Sequence, residues 1–187
     1  MCSRFEYAAS EMRVIAGTLK GRKLQAPPPE DLRVRPTADR AREALFSILE
    51  RWPKGAFVDL FAGTGAVALE ALSRGFGPVA CVEQEPVALR CLAANLRGSE
   101  IQVLKQDALR LGPKAFAHQA VIFGDPPYDQ AVRAFERLAP ALRSWVNPDG
   151  LLVWETDRNA VLPETRGWAL LEQRDYGAAR FHLMEPV

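Results

Sequence analysis

Short apolar runs alternate with stretches of helical spacing through most of this chain. The runs at 56–60, 78–83, 101–104, 120–123 and 151–155 are mostly apolar and lie between turn signals. Runs of that length read as strands buried on both faces of a sheet. Between them, 66–73, 86–96 and 131–143 carry apolar residues at helical intervals; in the last, Ala134, Phe135, Leu138, Ala141 and Leu142 share one side. Strand followed by helix, repeatedly, argues for an α/β sheet. Asn147-Pro148-Asp149-Gly150 reads as a turn. At the carboxyl end, 168–173 and 178–183 flank Asp175-Tyr176-Gly177, which predicts an antiparallel hairpin. Trp154, Trp168 and Phe181 are expected in the core.

The amino-terminal part has a different pattern. Residues 1–11 show no periodicity and are expected to be a disordered leader, with Met12 a candidate start. Residues 12–36 read as a basic hairpin and linker, and 37–187 as the main domain. Arg13-Val14-Ile15 and Arg22-Lys23-Leu24 are strand-like pieces joined through Gly17 and Gly21. They predict a flexible hairpin carrying Arg13, Lys20, Arg22 and Lys23. Pro27-Pro28-Pro29 then forces extended backbone suited to a connector. Thr37 is a good N-cap for a helix over 38–51, with Asp39 in its first turn. Ala41, Ala44, Leu45, Ile48 and Leu49 form its apolar side. Arg40 and Arg42, at its beginning, are candidates for phosphate contact or for closure over the active site; surface solubility with pairing to Asp39 or Glu43 is the plainer reading.

Charge changes the picture only when it is divided. The whole chain carries a formal +1, yet 13–42 holds eight basic and three acidic residues, leaving −4 for the remainder. Such asymmetry suggests a polyanionic partner held through its phosphates, or simply a solvated basic face.

Composition mainly excludes. A length of 187 residues, 48% apolar and 25% charged, suits one soluble globular domain. No apolar run approaches the roughly 18 residues of a membrane span, and no signal peptide is recognisable, so a cytoplasmic protein with no membrane partner is expected. Three cysteines without a C-x-x-C pair argue against a metal site or disulfide framework; Cys81 and Cys91 read as packing residues. His118 and His182, the two histidines, are expected to be non-catalytic, which removes histidine-based hydrolysis.

Candidate chemistry begins at Asp59, where the first strand meets Phe61-Ala62-Gly63-Thr64-Gly65 and a helix follows. Glycines there let backbone approach a ligand. Gly63, Gly65 and Ala68 loosely match a dinucleotide fingerprint. Asp59 argues against that: it would repel a pyrophosphate but could pair with the ammonium of S-adenosylmethionine. Glu83 ends the second strand twenty residues after Gly63, where a carboxylate commonly grips ribose hydroxyls. Capping the next helix, with Pro86 in its first turn, is the alternative for Glu83. Asp107, after the third strand, is a candidate acceptor for an adenine amine, with Ala108 offering a backbone donor; Asp107 could instead cap the segment that follows.

The fourth strand delivers Asp125-Pro126-Pro127-Tyr128, and the other motifs are arranged around this turn. It falls just past a strand's carboxyl end, where open α/β sheets hold ligands. A nucleobase amine is a poor nucleophile because its lone pair is delocalised into the ring. The Asp125 carboxylate and the Pro126 carbonyl could accept its two hydrogens, drawing electron density onto nitrogen and orienting it. Pro127 stiffens the turn, and Tyr128 could stack on the base, an interaction of roughly 1–3 kcal/mol. Asp129 reads as a helix-start residue.

These residues resemble the bacterial RsmD family, which methylates the N2 amine of one guanine in 16S ribosomal RNA. The resemblance spans Met12 to Met184 and is most specific in 12–17, 21–24, the run 35–46 that opens on Arg35, 59–65 and 125–128. It implies a Rossmann-like class I methyltransferase: a seven-stranded, mostly parallel sheet with a C-terminal antiparallel hairpin and a small N-terminal β-hairpin extension that docks RNA. It further implies S-adenosylmethionine as cofactor, contacts at Asp59, Gly63, Gly65, Glu83 and Asp107, and an acceptor site at 125–128. The partner would be 16S rRNA within the small ribosomal subunit or its assembly intermediate, met by a monomer. A DNA adenine- or cytosine-amino methyltransferase, a non-catalytic RNA-binding protein on the same fold and a dehydrogenase are the competing readings.

Overall fold

The computed structural model describes residues 12–27 and 39–187. Helix α1 (Asp39–Leu49) leads into β1 (Phe57–Asp59), α2 (Ala66–Ser73), β2 (Val79–Glu83), α3 (Pro86–Asn95) and β3 (Gln102–Lys105). A 3-10 turn (Ala108–Arg110), β4 (Gln119–Gly124), α4 (Ala131–Trp145), β5 (Val146–Asp157), β6 (Trp168–Tyr176) and β7 (Ala179–Pro186) complete the order. Among the described residues, seven strands form one sheet in the order β3-β2-β1-β4-β5-β7-β6. The first five are parallel; β7 runs against both β5 and β6.

The apolar runs became interior strands because both faces of the sheet are covered. Along β1, Phe57 packs with Phe46 of α1 and with Phe76, at ring-centroid separations of 6.3 and 5.5 Å. Its neighbour Val58 points into the opposite core, with Ile122, Leu142 and Trp154. The chain winds from β1 out to β3, then returns beside β1 with β4 and continues to β5. The strand order therefore reverses between β1 and β4, and a crevice opens at their carboxyl ends. Asp59 and Asp125 both lie there.

Two expectations change. The turn foreseen at 147–150 lies inside β5: the pairing jumps from Gln119–Val146 to Val121–Leu151, so these residues bulge from a strand that continues through them. Gly150 is required in that bulge, because a Cβ there would lie 2.8 Å from the Gln119 carbonyl oxygen.

The amino-terminal hairpin is docked, where the sequence suggested a flexible arm. Arg13 and Lys23 form its antiparallel bridge, and Met12, Val14 and Leu24 are buried in the core. The carboxylate of Glu70 on α2 accepts the Ile15 and Ala16 N–H groups at 2.7 and 2.9 Å. Ser73 donates to the Ala16 carbonyl and accepts from the Leu19 N–H. Asn95 of α3 bonds both backbone groups of Gln25. Gly17 adopts φ +82°, and a Cβ there would overlap Ser73 at 1.9 Å, which explains a glycine at the end of the 12–17 motif. The leader 1–11, Arg35, Thr37 and the expected boundary at 36/37 lie outside the described residues. No helix among the described residues is long and apolar enough to cross a membrane.

Candidate active site

The crevice between β1 and β4 is a cleft of about 830 Å³. Its wall on the β1 side is the turn from Asp59 to Gly65. Gly63 (φ +54°) and Gly65 (φ +80°) take left-handed backbone that a side chain would oppose, and Gly65 caps α2. The Ala62 N–H bonds the Val82 carbonyl at 2.9 Å, tying the turn to β2. Phe61 stands edge-on to Trp154, 5.9 Å between centroids.

Glu83, at the end of β2, braces this turn. Its Oε2 accepts the Gly63 N–H at 2.7 Å, and its Oε1 accepts the Gln84 and Glu85 N–H groups, both at 2.7 Å. The carboxylate thus holds the glycine turn and the chain entering α3 while lining the cleft. Asp107 caps the 3-10 turn, its Oδ1 accepting the Leu109 N–H at 2.9 Å, and lines the cleft with Ala108. Asp107 thus makes the cap that was the alternative for it, from a position that also borders the cleft.

Across the cleft, Gly124 delivers the 125–128 turn. A Cβ at Gly124 would lie 2.3 Å from the Trp154 ring, so the turn can seat against β5 only with glycine there. Trp154 donates from Nε1 to the Ala131 carbonyl, pinning the start of α4. The Pro127 and Tyr128 carbonyls accept from Gln130 and Ala131. The Pro126 carbonyl accepts no hydrogen bond from the described residues. Tyr128 donates its hydroxyl to Glu155 Oε1 at 3.2 Å, and the residue is 37% exposed. Burial, with Glu155 and Asp125 nearby, pushes the Tyr128 phenol well above its usual range.

Glu155 was missed by sequence reasoning, which read it as the end of an apolar strand. It is buried, lines the cleft and faces the turn. Burial and then Asp125 push its carboxyl up to about 9, against the hydrogen bond from Tyr128. Its signal was a lone acid closing Leu151-Leu152-Val153-Trp154, the strand beside the one that carries the turn.

Seven carboxyl-bearing residues line the cleft: Asp59, Glu83, Glu85, Asp107, Asp125, Asp129 and Glu155. No Lys, Arg or His does so among the described residues. That set of acceptors suits a cationic ligand with hydroxyls and amines, and opposes a pyrophosphate. The residues present therefore fit S-adenosylmethionine, with its ammonium and sulfonium, and disfavour the dinucleotide reading of the glycine turn.

Residues 12–185 match the family model described as Conserved hypothetical protein 95. The chain belongs to this family. It is 36% identical over 176 residues to a Bacillus subtilis protein provisionally named rRNA methyltransferase YlbH, covering 89% of this chain and 94% of that one. Ribosomal RNA small subunit methyltransferase D of Haemophilus influenzae is 32% identical over 188 residues, 95% of each chain. Among solved structures, a hypothetical protein of Thermus thermophilus superposes with a TM-score of 0.78 at 32% identity, over 92% of this chain and 98% of that one. The fold is that of the class I S-adenosylmethionine-dependent methyltransferases, and by family and fold the chain is such a methyltransferase.

The basic residues separate into two groups. Arg13, Lys20, Lys23 and Arg40 are exposed. Arg22 is half-buried, its guanidinium donating to the Asn95 and Arg97 carbonyls at 2.7 and 2.9 Å. Arg42 is a correction: it is fully buried, donates to the Arg13 carbonyl at 2.5 Å and lies 3.8 Å from Glu70. It holds the hairpin to α1 and α2 and cannot reach a phosphate.

Pairing of Asp59 with the cofactor's ammonium, the expectation from the sequence, would make cofactor uptake depend on pH. Its carboxyl is buried, and burial, with Asp125 and Glu83 adding, pushes it up to about 8; only the Phe61 N–H opposes this. A cation bound beside it favours the carboxylate, so binding below pH 8 must expel a proton. Affinity for S-adenosylhomocysteine, which keeps the ammonium, should then rise from pH 6 to 8 by at most about tenfold per unit. Titration calorimetry would show this slope in the wild type and its loss in Asp59→Asn; a flat wild-type profile contradicts the pairing.

Proposed function

We propose that this protein transfers a methyl group to the exocyclic N2 amine of a guanine in 16S rRNA of the small ribosomal subunit. The observation that carries the reading is that Asp125, Pro126 and Tyr128 line one cleft with the other carboxyls, the Pro126 carbonyl accepting no hydrogen bond from the described residues. Bound S-adenosylmethionine supplies an electrophilic methyl group on a sulfonium.

The chain's own residues then do the rest. Asp59 pairs with the ammonium, Glu83 takes the ribose hydroxyls with the lone pairs left by its backbone bonds, and Asp107 accepts from the adenine amine. Ala108, first in its turn, has an N–H that the turn does not use and that can donate to the adenine ring. Asp125 and the Pro126 carbonyl accept the two amine hydrogens, which localises the nitrogen lone pair and fixes its direction. Tyr128 stacks on the base. After transfer, a proton leaves the product nitrogen for the Asp125 carboxylate or water. A guanine within paired RNA must first be turned out of its stack.

The RNA assignment is supported by the names of the relatives and by the exposed cations Arg13, Lys20, Lys23 and Arg40 on the docked hairpin and α1. Replacing Lys20 and Lys23 by Ala should weaken RNA binding and flatten its dependence on salt, by about 0.7 in log–log slope for each phosphate no longer neutralised. Filter binding across salt concentrations measures this, and an unchanged slope takes the hairpin off the RNA surface. The function itself is tested by incubating unmodified small subunits with methyl-labelled S-adenosylmethionine and mapping the labelled nucleotide. N2-methylguanosine at one position of 16S rRNA is expected; label on adenine, cytosine or protein would overturn the reading.

A further inference from the structure

We infer that Glu155 is a specificity-determining residue of the acceptor pocket, its Oε2 accepting the ring N–H that lies beside the reacting amine of guanine. This deepens the guanine reading above and rests on it.

Glu155 is 4% exposed, and its carboxyl has two differently occupied oxygens. Oε1 takes the Tyr128 hydroxyl; Oε2 has no hydrogen-bond partner among the described residues. A buried polar atom left this way takes its partner from a water or from a ligand group in the cleft that Glu155 lines. The strand around it is rigid. Trp154 is bonded to Ala131, while Thr156 meets His182 at 2.9 Å, and that imidazole in turn meets Gln173 at 3.1 Å. Glu155 is therefore held against the cleft that Asp125 and Tyr128 share.

The chemistry of the bases decides what such an oxygen selects. Beside the amine of guanine stands N1–H, a donor. Beside the amines of adenine and cytosine stand ring nitrogens with lone pairs. Asp125 and the Pro126 carbonyl accept from any of the three amines, so they do not discriminate. A third acceptor next to them completes a match with guanine and sets lone pair against lone pair for the other two. With the Tyr128 hydroxyl donating to Oε1, an N–H arriving at Oε2 favours the ionised carboxylate, whose two oxygens then both accept.

The probe is 2-aminopurine riboside, which keeps the 2-amine but carries a lone pair at N1. Small subunits reconstituted from ligated 16S rRNA would hold either guanosine or this analogue at the mapped position. Wild-type protein should favour guanosine by on the order of 100-fold or more in kcat/KM. Glu155→Gln, nearly the same size and still able to meet Tyr128, should shrink that ratio to within about tenfold, because its amide can turn a donor towards N1. A residue that merely supports the fold would lower both substrates together and leave the ratio intact. Comparable wild-type rates on the two substrates, or an unchanged ratio in the variant, overturns the inference. Failure to methylate the guanosine subunits at all sinks the parent reading instead, and the wild-type ratio decides even if the variant does not fold.

Discussion

Asp125→Ala should lower methyl transfer by about 10²–10⁴-fold while the dissociation constant for S-adenosylhomocysteine moves by less than about threefold. The expectation follows from where the carboxylate stands. It directly follows β4, across the cleft from the Gly63–Gly65 turn, and its proposed partner is the acceptor amine. Removing it leaves one amine hydrogen without an acceptor and the lone pair delocalised. Cofactor uptake should survive, and even gain, because Asp125 is one of the charges that raise the Asp59 carboxyl. Asp125→Asn keeps an acceptor oxygen and should retain much more activity than the alanine variant. Single-turnover rates alongside calorimetry separate the two effects. Joint loss of turnover and binding in a folded Asp125→Ala protein would move this residue from the acceptor side to the cofactor side.

The largest effect on stability is expected at Glu70, far from the chemistry. Its side chain is fully buried and accepts from Ile15, Ala16 and Arg74, with the buried guanidinium of Arg42 at 3.8 Å. Glu70→Ala removes the carboxylate beside that cation and leaves two part-buried N–H groups without their acceptor. Breaking a buried charge pair in this way costs about 3–5 kcal/mol, which for a chain of this size lowers Tm by roughly 6–20 °C. Glu70→Gln, which keeps an acceptor oxygen, should lose less. Calorimetric melting measures the difference, and hydrogen exchange at Ile15 and Ala16 should accelerate first. A Tm within 2 °C of wild type, an allowance of about 1 kcal/mol, would show that the hairpin is held by other contacts.

Much of this architecture was legible because parallel strands covered on both faces must be short and apolar, and α2 begins where its glycine turn ends. The residues of the 59–65 and 125–128 motifs were legible for a related reason: ligands sit at strand ends, so the motif and its place in the sheet arrive together. Arg42 was misread because its charge suggested a surface. Its spacing from Leu45, Phe46 and Leu49 put it on the buried side of α1, and its partner Glu70 comes from another helix. The bulge at 147–150 was read as a turn because Asn, Pro, Asp and Gly serve both. Only the register of β5 against β4 tells them apart. Glu155 escaped because its meaning comes from the Tyr128 hydroxyl, which folding brings from the neighbouring strand's turn.

The most direct measurement is a crystal structure of the protein with S-adenosylmethionine bound. The methyl carbon should face the Asp125 carboxylate and Pro126 carbonyl beside the Tyr128 ring, leaving an amine nitrogen about 3–3.5 Å away. A methyl carbon directed away from that turn, more than about 6–7 Å from any position a base stacked on Tyr128 could give its nitrogen, contradicts the account.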